Sequence, residues 1–126
     1  MPFTFNHIAL SVKDVDESVQ FYQKVFQFEE IKNTASDSKT RWMSLNQGKQ
    51  LHLIPRPNFE IIINKAVHFA LSTPDLENVI SNLKHLKIDF SNWKDVPNEI
   101  TLRKDGIRQI YFQDPNGYWI EINDDV

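Results

Sequence analysis

The segment Asn6-His7-Ile8-Ala9-Leu10-Ser11 returns 61 residues later as Val67-His68-Phe69-Ala70-Leu71-Ser72. Each copy runs directly into helix-like sequence, Asp14 to Tyr22 after the first and Pro74 to Ile80 after the second. Self-similarity of this kind constrains architecture more than any local propensity does. Two copies are too few for a solenoid. They predict two similar half-domains about a pseudo-two-fold, with a shared site. The repeat also reaches the end of each half. Gly48-Lys49-Gln50-Leu51-His52 closes the first as Gly117-Tyr118-Trp119-Ile120-Glu121 closes the second. In both, a side chain able to ligate a metal stands four residues after a Gly turn. Each half thus offers one donor on its first strand and one on its last: His7 with His52, and His68 with Glu121.

Strand periodicity gives these donors a common face. From Phe5 to Val12, Ile8, Leu10 and Val12 point one way and His7, Ala9 and Ser11 the other. Val67, Phe69 and Leu71 oppose His68, Ala70 and Ser72 with the same parity. The branched face predicts packing under a helix. The small polar face leaves room beside each His. Asp14 or Asp16 can cap the first helix, with Val15, Val19, Tyr22 and Phe26 as its core stripe. In the second half Thr73 is the expected cap, with Pro74 at the first helical position and Leu76, Val79, Ile80 and Leu83 as the stripe. Strands are expected at Phe28 to Lys32, Arg41 to Leu45 and Gln50 to Ile54. The second half adds Ile88 to Phe90, Ile100 to Leu102, Ile107 to Phe112 and Tyr118 to Asn123. Asp114-Pro115-Asn116-Gly117 has type I turn chemistry. Asn33 to Lys39 is a polar loop, read either as a lid or as an ordinary connection. The pattern is strand, helix, three strands, twice: module one about 1–57, module two about 58–126, in one domain.

Composition narrows the function classes. The net charge of -3 supplies no basic footprint, so nucleic acid is not an expected partner. The chain has no Cys, which excludes disulfides, thiolate metal sites and a Cys nucleophile, and suits the cytoplasm. The N-terminus reads as a strand rather than a signal peptide, and no apolar run is long enough to cross a membrane. Imidazole and carboxylate together suit one divalent ion: nickel, zinc, cobalt, manganese or iron. Three of the four His and one Glu fall on equivalent positions of the repeat, whereas His85 lies outside it, as a plain helix residue.

With Asn6-His7-Ile8-Ala9-Leu10, Phe21-Tyr22, His68-Phe69-Ala70 and Asp114 to Glu121 in place, the chain resembles a single-domain vicinal oxygen chelate protein. This is the glyoxalase/bleomycin resistance/dioxygenase superfamily. The resemblance implies an α+β fold of two βαβββ modules forming a barrel-like cup around a divalent metal, and a homodimer in which modules of two chains complete the cup. It implies His7, His52, His68 and Glu121 as metal ligands, brought together either within one chain or across two, with Glu121 also a proton carrier. Two positions depart from glyoxalase I. His52 stands where that enzyme has a Glu, which raises the charge of a divalent site from about zero to about +1. Ser11 stands where bacterial forms place an Arg for glutathione, which argues against glutathione here.

Four functions compete on this reading. The first is a glyoxalase-like lyase or isomerase whose small substrate chelates the metal through adjacent oxygens. The second is an extradiol-type dioxygenase on the triad of His7, His68 and Glu121. It needs three open positions on iron, so it requires that His52 not be a ligand. The third is a thiol transferase of the fosfomycin-resistance kind, weakened by Ala9 where those enzymes place a hydroxyl. The fourth is a non-catalytic binding protein, disfavoured by an intact set of four donors. Arg56 is a candidate for a substrate carboxylate or phosphate, with a solvated Arg between two prolines as the plain alternative. Trp42 and Trp119 are candidate substrate-binding aromatics, and Trp119 shares strand parity with Glu121.

Overall fold

The alternating residues at the N-terminus form strand β1, His7–Val12. Leu10 and Val12 are buried, while His7 and Ala9 are exposed. Asp14 breaks the strand and caps helix α1, Val15–Phe26, its carboxylate accepting the Glu17 backbone N–H at 3.1 Å. A cap of this kind is worth about 1 kcal/mol. The helix buries Ser18, Val19, Tyr22 and Val25. Val15 and Phe26, expected in the stripe, sit in its terminal turns and are half-buried. Gln27 ends the helix in the left-handed region at φ 55°. Then follow β2 (Glu30–Ile31), β3 (Arg41–Ser44) and β4 (Gln50–Pro55). The sheet order is β1-β4-β3-β2, with β4 parallel to β1 and antiparallel to β3. A parallel pair needs a crossover element, and α1 is that element.

The second pass repeats the plan. Strand β5 is His68–Ser72 and helix α2 is Leu76–His85. Strands β6 (Thr101–Leu102), β7 (Arg108–Gln113) and β8 (Trp119–Asn123) follow. The order β5-β8-β7-β6 has the same parallel and antiparallel pairings. Two of the expected features give way here. Asp75 rather than Thr73 caps α2, accepting from the Asn78 N–H at 3.1 Å, and the Thr73 hydroxyl accepts from the Asp75 N–H instead. The segment 88–90 forms no strand. Only Ser91 bridges, to Tyr111 and Pro97, because Lys87 takes a left-handed turn at φ 59° directly after the helix.

The computed structural model describes Met1 to Val126 throughout. It resolves into two compact units, Met1–Ile61 and Ile62–Val126. Each is a βαβββ module with an open four-stranded mixed sheet, which makes the chain α+β. Each carries its own core. Tyr22, Met43, Leu51 and Leu53 are fully buried in the first, and Leu76, Leu83, Ile110 and Ile120 in the second. Truncating one of these aliphatic side chains to Ala costs about 2–5 kcal/mol. Each unit also ties the first turn of its helix to its sheet through an Arg. Arg41 meets Asp16 and Glu30, and Arg108 meets Glu77 and Asp124. The turn ahead of β8 holds its shape through Asp114, whose carboxylate accepts the Asn116 and Tyr118 N–H groups. Gly117 closes it at φ +92°, and a Cβ there would stand 2.2 Å from Ile63 Cδ1. No helix is long and apolar enough to cross a membrane.

Candidate functional site

In the first unit, β1 and β4 pair with Ala9 opposite His52 and His7 opposite Gln50. His7 and His52 therefore lie one step apart diagonally on the same face. Their rings stack, with centroids 4.0 Å apart and planes 17° apart. Trp42, opposite His52 on β3, stacks on the other side at 4.2 Å and 5°. His52 is thus the middle ring of three. Its Nε2–H donates to Gln50 Oε1 at 2.8 Å, and His7 Nδ1–H donates to Asn6 Oδ1 at 2.7 Å. The ring nitrogens not used in these bonds are Nδ1 on His52 and Nε2 on His7. Burial, and then the neighbouring His7 ring, push the His52 pKa below that of an ordinary imidazole. His52 is accordingly neutral, as a ligand or a base must be.

The second unit has the same register, with Ala70 opposite Glu121 and His68 opposite Trp119. His68 Nδ1–H donates to the Lys65 carbonyl at 2.9 Å. A carbonyl can only accept, so Nδ1 carries a proton and Nε2 is the ring nitrogen left to face outward. Nε2 faces Glu121 Oε1 at 3.3 Å. Glu121 is buried, and its carboxylate is held by three donors. Tyr111 hydroxyl reaches Oε1 at 2.7 Å, while Asn123 at 2.7 Å and Gln109 at 3.1 Å reach Oε2. Burial pushes its pKa up. The hydrogen bonds from Asn123, Tyr111 and Gln109, with the His68 ring, outweigh that and keep the carboxyl below its usual range. Tyr111 moves the opposite way. Burial, then the bond to Glu121, drive its hydroxyl well above the normal phenol range, so it stays a donor.

Nε2 and Oε1 face each other, an arrangement that a proton or a metal ion between them satisfies. For metal–donor bonds of about 2.1 Å, two neighbouring ligands stand about 3.0 Å apart in an octahedron and about 3.4 Å in a tetrahedron. A charge-assisted hydrogen bond would be shorter, about 2.7–2.9 Å. The 3.3 Å between His68 and Glu121 falls in the ligand range. The carbonyl behind His68 and the donors behind Glu121 are also the supports that metal ligands commonly have. The pair therefore fits a divalent ion. The donors lie in twos, and no group of three or more His, Asp or Glu gathers closely enough to hold an ion.

The other candidates fall as follows. Trp42 is in the stack. Trp119 lies opposite His68, with its ring 4.7 Å from Lys65 Nζ. Arg56 follows β4, exposed, and donates to the Pro55 carbonyl at 2.8 Å, so it forms no part of the stack. The loop of Asn33 to Lys39 is folded on itself by Asn33, which donates to the Thr40 carbonyl and accepts from the Ala35 and Ser36 N–H groups. His85 ends α2 and is exposed. Tyr111 and Lys65 were not expected. Tyr111 has a signal in the repeat: it stands ten residues before Glu121, as Trp42 stands ten before His52. Lys65 acts on His68 through its backbone carbonyl, which no side-chain pattern marks.

The model of the Glyoxalase/Bleomycin resistance protein/Dioxygenase superfamily matches residues 4–122. "Glyoxylase I 4" of Arabidopsis thaliana is 28% identical over 94% of this chain and 69% of its own length. "Metallothiol transferase FosB" of Staphylococcus epidermidis is 30% identical over 94% of this chain and 79% of its own length. Among solved structures, the fosfomycin resistance protein FosX of Listeria monocytogenes superposes with a TM-score of 0.77 at 23% identity, covering 100% of this chain and 96% of its own. That likeness is one of fold.

Proposed function

Because the chain belongs to the Glyoxalase/Bleomycin resistance protein/Dioxygenase superfamily, we propose that it is a divalent-metal-dependent lyase or isomerase of the glyoxalase type, acting on a small substrate with two adjacent oxygens. The observation that carries this reading is the 3.3 Å approach of His68 Nε2 to Glu121 Oε1, each backed by groups that suit a ligand. His68 and Glu121 are one pair of proposed ligands, and His7 and His52 the other. When bound, a nickel, zinc, cobalt, manganese or iron ion would polarise the substrate oxygens and stabilise negative charge developing beside a carbonyl.

The residues themselves divide the remaining work. A carboxylate held below its usual pKa range is a good ligand and a weak base, so its surroundings favour the ligand role for Glu121 over that of proton carrier. Tyr111 keeps its proton and offers it to Oε1, which holds Glu121 in one orientation. His52 is neutral with a lone pair at Nδ1, and is the better proton acceptor if it does not ligate. Trp42 and Trp119 supply ring faces to an apolar substrate. The setting we propose is a cytoplasmic homodimer.

A second reading has a specific observation behind it. His52 is enclosed by Trp42 and His7 and bonded to Gln50, so it is the least available of the four donors. Without it the set becomes His7, His68 and Glu121, and the similarity to a metallothiol transferase favours thiol transfer. Reconstitution with each metal, followed by assays of methylglyoxal with a thiol and of fosfomycin with a thiol, separates the two. Turnover of the first alone supports the lyase, and turnover of the second alone replaces it with the transferase. Equal metal uptake by the natural protein and by His68→Ala would overturn both.

A further inference from the structure

Lys65 precedes β5 and sends its ammonium into a box of three aromatic rings. Nζ lies 4.7 Å from the Trp119 ring centroid, 5.1 Å from that of Tyr111 and 5.6 Å from that of Trp93. All three fall within the reach of a cation–π contact, and an aromatic cage of this kind is the usual receptor for an organic ammonium. Polar groups complete the enclosure. The ammonium donates to Asp95 at 2.6 Å, to the Asn92 carbonyl at 2.9 Å and to the Trp93 carbonyl at 3.2 Å, with the Ser91 hydroxyl at 3.4 Å. An ammonium has three protons, and these acceptors use them. Lys65 therefore has nothing left to offer an anion.

The box continues into a cleft of about 400 Å³ within the same unit, which shares Ser91, Asp95, Tyr111 and Trp119 with it. The ionisable side chains of the cleft lining are the carboxylates of Asp89 and Asp95 and the phenol of Tyr111, with no Lys, Arg or His. Phe112 and Trp119 supply apolar wall. With Asp95 paired to Lys65, such a lining suits a positive group that replaces the ammonium and carries an apolar body. The outer wall is open to solvent: Trp93 is 42% exposed, and Asp95 is exposed as well.

We infer that the Trp93–Tyr111–Trp119 box, with Asp95 and the adjoining cleft, is a binding site for a small organic ammonium, and that Lys65 is its internal occupant, displaced when such a ligand binds. The arrangement has a local consequence. The same residue whose ammonium fills the box lends its carbonyl to His68 Nδ1. An organic cation in the box thus acts next to the residue that orients His68.

The test is calorimetric titration of the intact, metal-free protein with choline and with its uncharged tert-butyl isostere. Choline binds and the isostere does not, if the box reads charge. Lys65→Ala removes the competitor and tightens choline binding by about tenfold. Lys65→Met keeps the apolar stem and gives the same direction, which covers the case in which the Ala variant folds poorly. Trp93→Ala removes an exposed wall and weakens binding by about tenfold. Equal affinity for choline and the isostere would overturn the site as a cation receptor. Binding only after Lys65 is removed would overturn the displacement and leave Lys65 a fixed plug. Neither metal nor turnover enters the measurement, so its outcome stands apart from that of the metal reading.

Discussion

The two units place a donor at the same point of the same scaffold and then treat it in opposite ways. His52 and Glu121 each sit opposite an Ala of the parallel strand, and opposite an aromatic residue of the antiparallel one. In the first unit that aromatic is Trp42, and it presents its face to an imidazole. In the second it is Tyr111, and it presents a hydroxyl to a carboxylate. Burial in the stack, and then His7, disfavour the charged form of His52. Tyr111, with Asn123 and Gln109, offers donors that favour the anion. The backbone repeat decides where a donor stands. The surroundings of each donor, burial and His7 for His52 and three hydrogen-bond donors for Glu121, set its charge.

The sharpest way to break this comparison is to remove the charged donor. Glu121→Gln keeps size and loses the anion, so calorimetric metal titration should show a loss well beyond the roughly 10- to 100-fold that supporting groups cost. An unchanged affinity would mean that the second unit holds no ligand. The next largest effect belongs to the supporting hydroxyl. Tyr111→Phe should weaken metal binding by about 10- to 100-fold, and lower stability by about 1–3 kcal/mol because a buried carboxylate loses a partner. Trp42→Phe preserves a ring face and should change metal affinity far less. If the two aromatic substitutions have equal effects, the distinction between face and hydroxyl is wrong.

Much of this difference was legible in the residues, though unevenly. The copy of His7-Ile8-Ala9-Leu10 as His68-Phe69-Ala70-Leu71 was enough to predict two βαβββ modules, because strand parity and a helix cap follow from spacing alone. The positions of His52 and Glu121 followed from the Gly turns ahead of them. The state of each donor was not legible, since it depends on pairing across strands distant in sequence. Tyr111 meets Glu121 only through the register of β7 with β8. Lys65 orients His68 through a backbone atom, which carries no side-chain signal. The missing strand at 88–90 and the cap at Asp75 are local contests. In the first a left-handed Lys87 redirected the chain, and in the second a carboxylate displaced a hydroxyl from the helix end.

The smallest expected effect concerns pH, and it sharpens the comparison without any metal. The His52 pKa is lower in the folded protein than its ordinary value of 6.5, from burial and from His7. The unfolded chain therefore binds the proton more readily, and stability rises with pH through this range. The contribution is fully present above about pH 6.5 and is lost as pH falls through the folded-state value. Glu121 behaves likewise at a lower pH. Its carboxyl is held below its ordinary 4.5, so its contribution is present above that value and disappears only in stronger acid. Melting temperature measured on the metal-free protein should thus fall in two separate steps as pH is lowered, His52 first. His52→Gln should remove the step below about pH 6.5 and leave the more acidic one. A single acidic step in the natural protein, unchanged by His52→Gln, would mean that the Trp42–His52–His7 stack does not hold the imidazole neutral, and the contrast between the two units would lose its first half.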